Sequence, residues 1–137
     1  MALIVGALAL GLASVLLLHE AGHAFAAVVC GGRIEQVVWR GLGARVVATL
    51  PSRRAQLAFL LAGSLANVAA GLGLGALAFA AGSSTMATVM GLIAGMHLLH
   101  AAFALVPSGT TDGARLRALL RERGQCDATD TSDRGDG

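Results

Sequence analysis

The chain is 137 residues long, with 55% hydrophobic side chains, 13% charged ones and a formal net charge of +2. That balance is far from an ordinary soluble domain and argues for one compact unit in a membrane. All ten basic residues are arginines, gathered in residues 33–54 and 115–134, and no nucleic-acid partner is expected.

Met1 to Leu18 carries no charged side chain, and a first helix is expected over about 2–29, stopped by the pair Gly31-Gly32. No basic segment precedes the apolar run, so residue 1 onward is expected to be retained rather than cleaved as a signal peptide. The stretch "RIEQVVWRGLGARVVATLP" then changes character. Its β-branched residues on either side of Gly41-Leu42-Gly43 read as a two-stranded hairpin over about 33–50.

Ala55 to Thr111 is free of charged side chains, long enough for two spans of about 20 residues and a short link. These are expected over about 53–81 and 85–106, the second broken by Pro107-Ser108-Gly109. Glycines four apart, Gly71 with Gly75 and Gly91 with Gly95, suit close backbone approach in lipid. "DGARLRALLRER" reads as an amphipathic helix over about 112–123, with Leu116, Leu119 and Leu120 on one side, suited to the inner membrane surface. The polar, acidic tail at 124–137 is expected to be disordered.

The fold class is therefore membrane all-α: three transmembrane helices, a small β-hairpin after the first and a short amphipathic C-terminal helix, with the working core in 1–123. The positive-inside rule puts both arginine-bearing segments in the cytoplasm and the uncharged "AGSSTMAT" link at 81–88 outside. That gives N-terminus out and C-terminus in, with helices one and three parallel. Cys30 and Cys126 then fall at or beyond the cytoplasmic side, where a structural disulfide is disfavoured, and read as two unrelated thiols. The all-arginine, Ala- and Gly-rich usage points to a bacterial cytoplasmic membrane.

Inside the first span lies "LLLHEAGHAF". His19 and His23 are four apart, so on a helix their imidazoles share a face one turn apart and can hold one metal ion, while Glu20 can reach a metal-bound water. Ionisable groups at that depth are expensive and are by default functional. A catalytic zinc site needs a third protein ligand, and Asp112 is the only acid between Arg54 and Arg121. Parallel helices one and three bring it to the same membrane face as the histidines. An N-cap of the following helix is its other reading, and it can do both.

At this point the chain resembles the site-2 protease family of intramembrane zinc metalloproteases. "HEAGH" matches the family's first motif, "GSLAN" at 63–67 resembles its G-P-x-A-N stretch, and "ALVPSGTTDG" at 104–113 resembles its N-x-x-P-x-x-x-x-D-G motif. The resemblance implies one Zn2+ per chain on His19, His23 and Asp112, and Glu20 as the general base acting on a zinc-bound water. It also implies Asn67 as a polar group near the site on helix two. It makes the hairpin a sheet beside the site, whose edge holds an unwound substrate extended. The implied activity is endopeptidase cleavage of a single-span membrane protein or membrane-associated peptide near the cytoplasmic side of the bilayer. Without an accessory domain, a regulatory or substrate-presenting membrane partner is expected.

Two positions depart from the family pattern. Ser64 stands where a proline is usual, and Ala104 stands where the family has an asparagine that stabilises an oxyanion or positions the substrate. His100, one turn before Ala104, can supply the missing donor; a histidine hydrogen-bonded between helices is the alternative reading of His97 and His100. Ala104 also sustains a rival of another class, a zinc-binding adaptor or chaperone of the same fold with weak or no proteolysis. A soluble zincin and a metal transporter are further rivals, opposed by the charge-free run and by the small number of helices.

Overall fold

The computed structural model describes the backbone of residues 2–40 and 43–132 and the side chains of residues 4–39 and 43–122. In chain order it contains α1 (Ala2–Val29), a hairpin of β1 (Arg33–Arg40) and β2 (Gly43–Thr49), α2 (Arg53–Ala80), α3 (Thr85–Leu105) and α4 (Asp112–Ser132). Three of the helices are long and apolar enough to cross a membrane, over Ile4–Val29, Arg53–Ala80 and Thr85–Leu105. Their outward faces carry large apolar side chains, among them Leu10, Phe25 and the 91%-exposed Phe79, as helices facing lipid should.

Each boundary has a local cause. Gly31 takes φ 71° after α1, with its N–H donating to Val28 O and that of Gly32 donating to Ala27 O. That is a Schellman stop, and the left-handed residue in it is one that glycine tolerates. Ser52 and Ser84 cap α2 and α3, their hydroxyls accepting from Ala55 N at 3.2 Å and Ala87 N at 3.0 Å. The hairpin is antiparallel from Arg33↔Thr49 to Arg40↔Gly43, with an irregularity between Ile34 and Gln36 that leaves Glu35 as the extra residue of a bulge. Its tip, Gly41-Leu42, lies outside the described residues.

Contacts fix the relative directions of the spans. Gly11 packs on Ile93, Ser14 meets His97 and His19 meets His100, so α1 and α3 run parallel. His23 meets Phe59 and Gly22 lies on Ala62 and Ala66, so α2 runs against them. A Cβ on Gly22 would meet the Ala62 carbonyl at 2.6 Å, which is how closely α1 and α2 approach. Of the two glycine pairs expected to mediate packing, Gly71 does press on Leu98 and the Ala94 carbonyl, with Gly75 beside Ala94. Gly91 and Gly95 face open space among the described residues. Only the first pair lies on a helix–helix seam.

The hairpin and α4 close one end of the bundle. Val46 of β2 packs into a cluster with Ala27, Phe59 and Leu60, against which Leu116 and Leu119 of α4 also lie. Arg53 Nη2 donates to Leu119 O at 2.5 Å, tying the start of α2 to α4. α4 departs from the expectation for its far end: the helix continues through Ser132 rather than ending near 123, so 124–132 is helical where disorder was expected. Once a helix is formed, each further residue adds a bond at little cost, and no proline interrupts this stretch. The remainder of the tail, 133–137, and the Cys126 side chain lie outside what is described; Cys30 is a free thiol.

Candidate metal centre

The 3.6-residue period of α1 puts His19 and His23 on one face, and the end of α3 returns Asp112 to them. Gly113 permits that return, because the Leu105 carbonyl occupies the place its Cβ would take. The N-cap of α4 is Thr111, whose hydroxyl accepts from Ala114 N at 3.2 Å and donates to Val106 O at 2.5 Å and Ser108 O at 2.9 Å. This corrects the reading of Asp112 as the cap. With Thr111 in that role, the Asp112 carboxylate is left for the histidines.

His19 Nε2 and His23 Nε2 each lie 3.0 Å from the same Asp112 Oδ2 and 3.2 Å from one another. His23 Nδ1–H donates to Phe59 O at 2.6 Å, which leaves the lone pair of a neutral ring on Nε2. Lone pairs turned on one another in a buried place repel unless a cation lies among them. Tetrahedral zinc with bonds of about 2.0–2.1 Å puts its ligand atoms about 3.3–3.4 Å apart, close to the separations here. The donor set therefore fits one zinc ion, with His23 oriented by a backbone carbonyl as metal-bound imidazoles usually are. His19 Nδ1, by contrast, is buried without a hydrogen-bond partner among the described residues.

Gly63 belongs to the same construction. A Cβ there would meet His23 Nε2 at 2.7 Å and His19 Nδ1 at 2.8 Å, so only a glycine on α2 lets both rings seat. A cavity of about 370 Å³ opens beside these three residues, bounded by Glu20, His100, Ala104 and the Gly43–Val46 run of β2. Glu20 Oε2 accepts the Val46 N–H at 2.7 Å, so β2, not β1, is the strand that lies along the cavity.

Of the remaining expected residues, His100 lines the cavity, its ring edge-to-face with His19 at a centroid distance of 4.8 Å. Asn67 does not line it. Fully buried, Asn67 lies behind His100, its Nδ2 donating to His100 Nδ1 at 3.0 Å while its Oδ1 accepts from His97 Nδ1 at 2.8 Å. His97 in turn lies 3.2 Å from Ser14 Oγ. Both histidines of α3 thus bond between helices, as the alternative reading had it, and His100 faces the cavity as well. Sequence reasoning missed Ser14, which sits alone in an apolar run, and Thr111, which shares "TTD" with a residue just as suited to capping.

No protein-family model matches the sequence, and no curated protein matches it. Among solved structures, the chain is similar to the site-2 protease from Methanocaldococcus jannaschii, with a TM-score of 0.65 and 25% sequence identity over 85% of this chain. It covers 55% of that protein, so it spans about half the length of its structural relative. The likeness is one of fold, over the membrane core.

Proposed function

We propose that the chain is an intramembrane zinc endopeptidase, cutting a single-span membrane protein or membrane-associated peptide near the cytoplasmic side of the bilayer. The convergence of His19, His23 and Asp112 on one point, in a cavity that Glu20 and β2 also line, carries this reading. Zinc bound there would supply Lewis-acid chemistry, acidifying a water and polarising the scissile carbonyl. Glu20 accepts the proton of the attacking water and returns it to the leaving amine. His100 stands one turn from Ala104, where the side chain offers no donor, and donates to the carbonyl oxygen as it gains charge. β2 lies against the same cavity and holds the unwound substrate extended.

The orientation is N-terminus out and C-terminus in, in a bacterial cytoplasmic membrane, with a membrane partner presenting the substrate. The arginine-bearing segments at 33–54 and 115–134 support that orientation by the positive-inside rule. The test is cleavage of a labelled single-span peptide by the zinc-loaded protein in detergent, compared with Glu20→Gln. Cleavage by the wild type, lost by at least a hundredfold in Glu20→Gln, is the expected result. If neither protein cleaves while both hold one zinc, the chain is a metal-stabilised adaptor.

A further inference from the structure

The cavity-facing histidine is the end of a polar chain that crosses all three spans. Ser14 on α1, His97 on α3, Asn67 on α2 and His100 on α3 follow one another at 3.2, 2.8 and 3.0 Å. His97 is 2% exposed and Asn67 not at all. Four polar side chains linked at this depth are costly unless each is satisfied, and none of them holds the metal.

The chain has a direction. Asn67 Oδ1 can only accept, so the His97 proton it meets is on Nδ1. Asn67 Nδ2 can only donate, so His100 Nδ1 carries a lone pair and the proton of the neutral ring is on Nε2. His97 Nε2 lies 3.2 Å from Ser14 Oγ. The Ser14 hydroxyl donates to Gly11 O at 2.7 Å, on the lone pair that the helix bond leaves free, so the sense of the chain is set at Asn67.

We infer that His97 and Asn67 are positioning residues that fix His100 as an Nε2–H donor turned into the cavity, replacing the side-chain donor that Ala104 lacks. The inference rests on the protease reading. A reversed amide at Asn67 would send every proton the other way and present a lone pair to the developing oxyanion, which repels it. The orientation of one buried amide therefore decides whether the cavity has a donor. Ala104 leaves room for this solution: with no side-chain amide at that position, the task falls to the group one turn deeper.

The test uses the full zinc-loaded chain in bicelles, with 15N-labelled histidine. The expected spectrum shows His100 protonated at Nε2 and unprotonated at Nδ1, a fixed tautomer that becomes mixed in Asn67→Leu and His97→Leu. In both variants kcat is expected to fall by about tenfold to a hundredfold with KM unchanged and zinc retained. Adding Ala104→Asn, which restores a donor independent of the chain, is expected to recover most of that loss. An unprotonated Nε2 overturns the inference, as do variants with unchanged kcat. A loss that Ala104→Asn does not repair, with the tautomer intact, overturns it as well, because the chain would then serve stability alone. A wild type that cleaves no faster than Glu20→Gln overturns the protease reading, and the nitrogen spectrum then decides the tautomer by itself.

Discussion

At the scale of single residues, the centre depends on a division of labour at the start of α4. Thr111 satisfies the helix N-terminus, and Asp112, one position later, is left with its carboxylate aimed at two imidazoles. Replacing Thr111 by alanine should cost about 1 kcal/mol at the cap. It should also loosen the only ligand not on α1, which a zinc competition titration against a chelator would register as weaker binding with full occupancy still reachable. The grouping of His19, His23 and Asp112 is legible in the sequence because ionisable groups are rare in apolar runs and the two histidines share one helix face. Ser14 and Thr111 are not legible. A hydroxyl in an apolar helix has no periodic signature, and its value here comes from His97, 83 positions away.

At the scale of elements, glycines set the distances between helices that the centre requires. Gly63 is the sharpest case, since any side chain enters the space of both histidine rings. Gly63→Ala should reduce zinc occupancy while leaving the protein helical, as read by zinc content alongside circular dichroism. Gly95 is the contrast: it faces open space, and Gly95→Ala should hold zinc at the wild-type level and raise helix stability by up to about 1 kcal/mol, measured as thermal unfolding in detergent. The glycine spacing was visible in both pairs, but periodicity does not reveal which helix face meets a neighbour. Helix limits were legible to within a residue for all three spans, because Gly31, Ser52, Ser84 and Pro107 mark them. The far end of α4 was not, because composition reports the polarity of 124–132 and not the low cost of extending a helix already begun.

At the scale of the whole molecule, topology assembles the site. His19 and His23 lie toward the end of the first span, and Asp112 joins them 89 positions after His23, after two further apolar helices and a tight turn. Parallel α1 and α3 make that meeting unavoidable, and the arginine distribution anticipated it. A metal shared between α1 and α4 should then act as a clasp, so that chelation lowers the unfolding temperature of the wild type but not of Asp112→Ala. The most direct measurement of the central claim is zinc per chain in detergent-purified protein by elemental analysis. The account expects one zinc in the wild type and in Glu20→Gln, and close to none in His19→Ala, His23→Ala and Asp112→Ala. One zinc retained in Asp112→Ala would contradict it.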